Sequence, residues 1–402
     1  MKHCSKCLLP ETHETIEFDG KNKCNICVQH EFKKNKINWS LKKKEFEKII
    51  SKYKGKRNYD CIVPFSGGKD SVYTLWRLVK TFNLKCLVVS FNHGFFRPKL
   101  IENRTKIFKK LEVDSIIFNP NWKIVNKLML ESFIRKGDFC WHCHAGIFAY
   151  PMQVAIKENV PLVIWGEPQA EYTAYYSYED TLNENEEVNE KRFNRFVNLG
   201  ITADDMINMI GKDEIDVNDM KPFMYPKLGE LKKINYRSIC LGSYIPWDVK
   251  KQVEIIKKEL DWEEDLNAGI PPNYAYEKVE CQMQGIRDYI KYIKRGYGRS
   301  SHLVALDIRN DRLDKATGLN LIKEYDGKRP ESLDYFLNML NITEEEFNNI
   351  ASSHVVAPHK FARGKNIQTG PRLHDRGQWI GQKKLDRSYV EKKLSGHGFK
   401  SK

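Results

Sequence analysis

The strongest constraint on how this chain can fold is a junction near residue 60, where an apolar run stops at a pair of glycines. Tyr59-Asp60-Cys61-Ile62-Val63-Pro64-Phe65 is short and mostly apolar, which predicts a buried strand. Ser66-Gly67-Gly68-Lys69-Asp70-Ser71 follows and opens a helical pattern carrying Val72, Leu75, Trp76 and Val79. Two glycines and two hydroxyls at a strand-to-helix turn predict a nest of backbone N–H groups on a helix N-terminus, a setting that suits a phosphate. The turn is not G-x-x-x-x-G-K-S/T, because no glycine precedes Gly67 at the needed distance and Asp70 follows Lys69. Nor is it G-x-G-x-x-G, so nicotinamide binding loses its main support.

The same rhythm continues downstream. Lys85–Phe91 predicts a second strand ending in Asn92-His93-Gly94-Phe95-Phe96-Arg97, Ser115–Phe118 a third and Val160–Trp165 a fourth, with helical stretches between them. Strands alternating with helices imply an α/β fold with a parallel sheet and a ligand site at the C-terminal ends of the strands. At 402 residues the chain has room for two or three modules, and 41% hydrophobic residues suffice for a real core. No apolar run approaches the ~20 residues of a membrane helix. Met1-Lys2-His3-Cys4 does not read as a secretion signal. The expectation is therefore a cytoplasmic protein with no membrane insertion.

The net charge of +14 is unevenly spread. Residues 1–57 carry 15 Lys/Arg against 7 Asp/Glu, residues 359–402 carry 12 against 3, and the middle carries 40 against 43. A central polyanion groove is not demanded by this distribution, and basic ends are commonly just solvated.

Eight of the ten cysteines precede residue 150, and six of those form CxxC pairs. Cys4/Cys7 and Cys24/Cys27 enclose 16 residues, a spacing that reads as a structural Cys4 zinc site with a small hairpin tip at Glu17–Lys21. Disulfides are the alternative, disfavoured where no secretion signal is found. Phe32–Arg57 is lysine-rich with Trp39, Leu41, Phe46, Ile49 and Ile50 at helical spacing, and reads as one amphipathic helix joining this module to the next domain.

SGGKDS in this position resembles the pyrophosphate loop of the ATP pyrophosphatase (HUP, adenine nucleotide alpha hydrolase-like) superfamily, and Asn92 and His93 resemble the segment that closes over the adenosine there. Taken with Cys4-x-x-Cys7-Leu-Leu-Pro-Glu-Thr, Phe18-Asp19-Gly20 and Cys24-x-x-Cys27, the chain resembles the N-acetyl sugar amidotransferases of acetamidino-sugar synthesis in O-antigen, pseudaminic and legionaminic acid pathways. The resemblance runs through Trp165-Gly166-Glu167-Pro168 and Glu171-Tyr172 to about Ile342–His354, and stops near residue 359. Residue patterns and resemblance together predict five segments: a zinc-ribbon-like module at 1–37, a basic linker helix at 38–57, an ATP pyrophosphatase domain at 58–250 with a substrate insert at about 168–235, a helical cap at 251–358 and, beyond the resemblance, a basic tail at 359–402.

The activity implied is an AMP-forming ligation. ATP adenylates the N-acetyl carbonyl oxygen of a nucleotide-linked sugar, ammonia displaces AMP, and an acetamidino sugar for surface polysaccharide results. Ser66, Gly67, Gly68 and Ser71 would hold pyrophosphate, Lys69 would offset its charge, and Asp70 would help hold Mg²⁺ on ATP. Glu167 is the candidate for orienting the acceptor or ammonia, with an ordinary N-cap or salt bridge as its plainer reading. Tyr172 and Tyr175, with Tyr176 and Tyr178, could stack on a base or sugar, and Arg192 and Arg195 could grip a diphosphate. Acidic residues from Glu179 to Glu190 in the same insert disfavour a nucleic-acid backbone without excluding one.

Ser238-Ile239-Cys240-Leu241-Gly242 only superficially resembles a glutaminase elbow. Ammonia is therefore expected from separate glutaminase and cyclase-like partners. Phe139-Cys140-Trp141-His142-Cys143-His144 departs from the simplest pattern. With Cys240 as a third thiol, Cys140 and Cys143 match the arrangement that holds an iron–sulfur cluster in some tRNA-thiolating relatives. A second zinc, a redox dithiol or plain burial are the alternatives. The competing function is thus a tRNA sulfurtransferase, and a third reading is a noncatalytic zinc-bearing scaffold. From residue 250 apolar spacing predicts a helical cap, interrupted by a Gly/Ser-rich loop at Gly296–His302.

Overall fold

In the computed structural model, which describes residues 1–168, 171, 201–266 and 269–360, the apolar run after Asp60 forms β1 (Cys61–Pro64). β2 (Cys86–Phe91), β3 (Asp114–Phe118), β4 (Leu162–Trp165) and β5 (Arg237–Cys240) complete a five-stranded sheet of order β3-β2-β1-β4-β5, every neighbouring pair parallel. The α/β expectation holds. β2 is buried along its whole length, as a parallel strand covered on both faces must be, whereas the edge strand β3 is largely open. β5 is the strand that the sequence reading missed, and the would-be elbow residues form it and the short 3-10 turn that follows.

Alternation within each strand sends its residues to opposite layers. Cys61, Val63, Val88 and Ile164 pack against helices on one face, while Ile62, Leu87, Val89 and Val163 pack with Val154 and Ala155 on the other. The first layer contains α3 (Lys69–Trp76) and the helix Val249–Leu260, and α4 (Pro98–Leu111) contributes Leu100 and Ile107. α5 (Trp122–Lys136) and α6 (Trp141–Lys157) lie beyond the second face. Gly146 allows α6 to approach β2, because a Cβ there would stand 2.3 Å from the Phe91 ring.

The basic segment after the cysteines is two helices, α1 (Asn25–Lys36) and α2 (Trp39–Ile50), not one. Ile37 is extended, and the Asn38 side chain accepts from the Leu41 N–H to cap the second helix. Phe46, Ile49 and Ile50 join the sheet's own core, so α2 is a structural layer of the sheet domain rather than a linker.

After β4 come α7 (Ala203–Ile210), α8 (Val217–Met220) and α9 (Leu228–Lys233), then β5 and α10 (Val249–Leu260). The cap contains α11 (Gln284–Arg295), α12 (Arg299–Arg309), α13 (Lys315–Tyr325), α14 (Leu333–Leu340) and α15 (Glu344–Ser352). Gly296–His302 is a tight corner between α11 and α12 rather than a long loop. The cysteine module docks on this cap: Ala305 of α12 shares its core, and the Thr12 hydroxyl donates to Arg295 O while Arg295 Nη1 donates to Thr12 O, both at 2.6 Å. Among the described residues no helix is long and apolar enough to cross a membrane.

The Gly146 contact gives a direct test of the sheet–helix packing. Gly146→Ala drives a methyl into the ring cluster of Phe91, Phe118 and Phe223, and should cost about 1–3 kcal/mol in urea denaturation.

Candidate active site

The strand order fixes where a ligand can sit. β1 lies between β2 and β4, so the chain direction across the sheet reverses between β1 and β4, and the crevice opens beyond their C-terminal ends. Ser66–Ser71 leaves β1 there, and Gly166-Glu167 leaves β4 beside it. The two segments touch: a Cβ on Gly166 would lie 2.6 Å from Thr74 Oγ1 and 3.2 Å from Asp70 O, both on α3.

The loop is built by its own hydroxyls. Ser71 Oγ accepts from the Gly67 N–H at 3.1 Å and donates to Gly68 O at 3.0 Å, while Ser66 Oγ accepts from the Gly68 N–H at 3.3 Å. Gly67 has φ +88°, a conformation that glycine adopts at no steric cost, and Trp262 Nε1 donates to its carbonyl at 3.4 Å. Gly68 caps α3 without a side chain, leaving the helix's first N–H groups facing the crevice.

Lys69 is buried, with 6% of its surface exposed, and its ammonium lies 2.8 Å from Asp70 Oδ2 and 2.9 Å from Glu277 Oε1. Burial alone would lower its pKa, but the carboxylates of Asp70, Glu277 and Glu167 outweigh that and hold it well above the usual lysine value. Glu277 shows the reverse balance: burial opposes its charge, yet Lys69, Lys278 and Arg299 hold it down at about 2. Glu167 is pushed well above the carboxylate range by burial and by the Asp70 charge. Asp70 Oδ1 is buried with no hydrogen-bond partner. The sequence reading missed Glu277 and Glu280, whose carboxylate occupies the space 2.7 Å from a Cβ on Gly68. Their signal was the charge-dense run Tyr276-Glu277-Lys278-Val279-Glu280-Cys281, some 200 residues beyond the loop it meets.

Asn92 and His93 follow β2. Asn92 Oδ1 accepts from the Gly94 N–H at 2.8 Å, and its Nδ2 donates to Asn119 Oδ1 at 2.6 Å. His93 is buried against Phe96, and burial followed by the nearby His142 lowers its pKa to about 3, so it is neutral. A cavity of about 160 Å³ opens in the cap, lined by Asp288, Tyr289, Arg299, Tyr325, Asp326 and Arg329 among others. Arg299 joins cavity and loop: it pairs with Asp288 at 3.3 Å, and its charge acts on Glu277. Tyr172, Tyr175, Tyr176, Tyr178, Arg192, Arg195 and the acidic run lie outside the described residues.

Cys4, Cys7, Cys24 and Cys27 come together with all four sulfurs within 4.8 Å of one another, buried, and could hold a metal ion. The Sγ separations are 3.9 Å for Cys4–Cys27 and 3.7 Å for Cys7–Cys24. Among the described residues no such grouping contains Cys140, Cys143 and Cys240. Cys240 ends β5, in register with Trp165. The other thiol whose charge acts on both Cys140 and Cys143 is Cys281.

Residues 273–374 match the family model described as "LPS biosynthesis protein WbpG-like, C-terminal domain". The chain carries a WbpG-like C-terminal domain. The match agrees with a role in polysaccharide biosynthesis and runs to 374, past the point near 359 where the resemblance stops in the sequence. An uncharacterized protein of Methanocaldococcus jannaschii, MJ1599, is 33% identical over 166 residues, which is 40% of this chain, and the chain spans only 58% of that relative's length. The U34-tRNA thiolase NcsA of Methanococcus maripaludis, solved with its 4Fe–4S cluster, aligns over 82% of this chain and 90% of its own at 14% identity, with a TM-score of 0.29. Glu277, Glu280 and Arg299 all lie within the WbpG-like domain, which therefore meets the loop directly.

Glu277→Gln leaves Lys69 with Asp70 at 2.8 Å and should lower stability by about 2–4 kcal/mol at pH 7. A carboxyl held at about 2 contributes in full above the ordinary value of 4.5 and loses that contribution as pH falls toward 2. Denaturation curves of the two proteins should therefore converge as pH drops below 4.5, and a pH-independent gap would remove the ion pair as its cause.

Proposed function

We propose that this protein is an ATP-dependent amidotransferase that converts the N-acetyl group of a nucleotide-linked sugar to an acetamidine in surface polysaccharide biosynthesis. The observation that carries the reading is Glu277 of the WbpG-like domain on Lys69 of the loop, 2.9 Å apart and both buried. A domain named for LPS biosynthesis thus helps build the wall of a phosphate-binding turn.

The chemistry follows from the groups present. The acetamide oxygen attacks the α-phosphorus of ATP, the bond to the β-phosphate breaks, and pyrophosphate leaves. Ammonia then adds to the activated carbon, and the original oxygen departs with AMP, leaving C=NH in place of C=O. The uncapped N–H groups at the start of α3 and the Ser66 and Ser71 hydroxyls are suited to the pyrophosphate, and Lys69 to its charge. Asp70 Oδ1, buried and unpartnered, is the atom best placed to serve Mg²⁺ on ATP. Glu167, favouring its protonated form, can hydrogen-bond an acceptor oxygen in that state. The cavity around Arg299 is of a size for one sugar unit, with two tyrosines for its faces and charged groups for its hydroxyls.

The Cys4 site is assigned to structural zinc. Zn–S bonds of about 2.3 Å in a tetrahedron put sulfurs roughly 3.8 Å apart, which agrees with the observed separations. Ammonia comes from separate glutaminase and cyclase-like proteins, and the reaction is placed in the cytoplasm. The second reading, tRNA thiolation, is favoured by one observation, the thiols of Cys140, Cys143 and Cys281 near the loop.

Pyrophosphate release from ATP with ammonium, against a panel of nucleotide-linked N-acetyl sugars and bulk tRNA, separates the two readings. Release should require one of the sugars and yield a product lighter by the difference between O and NH. Release only with tRNA and a sulfur donor would overturn the assignment. Lys69→Ala should reduce sugar-dependent release by at least about 100-fold. Cys4→Ser should mainly lower the folded yield and the zinc content, with the surviving folded protein still active.

A further inference from the structure

We propose that the outer face of α2 is a docking surface for an anionic lipid bilayer, made by a row of lysines that begins at an exposed leucine. Residues 33–57 carry eleven Lys/Arg against two Asp/Glu. Phe46, Ile49 and Ile50 turn the opposite side of α2 into the sheet's core, which fixes how the helix is rotated. Leu41, Lys44 and Lys48 then follow one another at helical spacing on the outside, and Lys52 continues the row in the turn after the helix. All four are exposed, as are Lys43, Lys54 and Lys56.

The charge of the row is not neutralised locally. The two carboxylates of α2 are taken by its other lysines: Glu45 lies 2.8 Å from Lys42, and Glu47 lies 3.6 Å from Lys43. Lys44, Lys48 and Lys52 form no ion pair among the described residues. Leu41 is 54% exposed, an apolar side chain with cations about one, two and three helical turns further along the same face. Lys54 Nζ donates to Phe82 O at 2.9 Å, and the Phe46 and Phe82 rings meet at 4.9 Å. Phe82 follows the helical run Lys69–Thr81, so it lies about 20 Å along that run from the turn at Ser66–Ser71. The C-terminal end of the row is therefore remote from the crevice, and a bilayer there leaves the site open to small substrates.

The composition of the row selects among polyanions. Paired hydrogen bonds to individual phosphates are the work of arginine, whose planar fork fits them, and the row contains none. Single-stranded nucleic acid is also held by aromatic faces for its bases, which the row does not offer. Lysines are compact charges that answer the diffuse field of an anionic membrane surface. A leucine among them gains by entering the boundary between headgroups and acyl chains, an environment that a phosphodiester backbone does not provide. The attachment is peripheral, since among the described residues no helix is long and apolar enough to cross a membrane.

Docking of this kind is independent of the reaction catalysed and is read as partition rather than turnover. The full chain would be sedimented with vesicles of phosphatidylcholine alone or of phosphatidylcholine mixed with phosphatidylglycerol, at about 0.1 M and about 0.5 M salt. The wild type should bind the mixed vesicles only and leave them at the higher salt. Each lysine near an anionic bilayer raises the partition about fivefold, so Lys44→Gln, Lys48→Gln and Lys52→Gln together should weaken it about 100-fold with the melting temperature kept. Leu41→Ser should weaken it about threefold or more while the salt dependence stays the same. Absence of vesicle binding by the wild type, equal binding by the triple variant, equal binding to phosphatidylcholine alone, or displacement from vesicles by duplex RNA at matched negative charge would each overturn the proposal.

Discussion

A lysine ammonium removed from water is the constraint around which the sheet domain of this molecule is organised. Isolated burial of such a charge costs several kcal/mol, so Lys69 can remain ionised only with carboxylates close by. They come from separate parts of the chain: Asp70 from the same turn, Glu167 from the end of β4, and Glu277 from the WbpG-like domain. The sheet must place β1 next to β4 for Glu167 to arrive, and the cap must fold back over the loop for Glu277 to arrive. Three carboxylates around one ammonium carry a negative excess, and it is relieved in part by the upward shift of Glu167. If the protein takes a triphosphate as proposed, the added negative charge calls for a divalent cation with the nucleotide and for movement of at least one carboxylate away from Lys69.

The cysteine module is joined to the far end of the chain. Its four thiols lie within the first 27 residues, yet its core includes Ala305, and its backbone is tied to Arg295 through paired hydrogen bonds with Thr12. Glu14 accepts from the Tyr297 hydroxyl at 2.5 Å at the same seam. A closed four-thiolate shell is a rigid object that needs little hydrophobic core, which suits it to bracing a helix corner. The braced corner is the α11–α12 turn, and α12 starts with Arg299, the residue on the cavity wall that also acts on Glu277. A metal held by the four thiols would bear on the geometry of the crevice through this seam.

Much of the sheet was legible because its signals are local. An apolar run ending in Ser-Gly-Gly predicts a strand, a turn and a helix at once, and β1 to β4 fall within two residues of their expected ends. The Cys4 site was legible for the same reason, as two short knuckles at a fixed spacing. What failed was anything set by partners distant in sequence. Arg237–Cys240 carries too short a pattern to read as a strand until β4 lies alongside it. The lysine-rich segment looked like one solvated helix because the break at Ile37 is made by a single side-chain cap, and the value of Phe46, Ile49 and Ile50 to the sheet's core is a tertiary fact. Cys240 was named as a third thiol only as a lone cysteine later in the chain, whereas the contacts that bring Cys281 toward Cys140 and Cys143 run through Phe95 and Asp138.

The same long-range character explains why the WbpG-like domain cannot be treated as a separate cap. Glu277, Glu280 and Cys281 fall within a span of five positions, and each answers a different group: Lys69, Gly68 and the pair at Cys140 and Cys143. A surface cap would show polar residues of no fixed partner along such a stretch. Here Tyr274 and Tyr276, on its N-terminal side, are buried in the sheet's core, and Met283, on its other side, is buried in the cap's. The stretch is pinned at both ends and presents its polar groups inward, toward the turn at Ser66–Ser71. The turn at Ser66–Ser71 gains its particular surroundings from this domain, and under the proposed function the acceptor's identity would be set on that wall rather than in the turn itself.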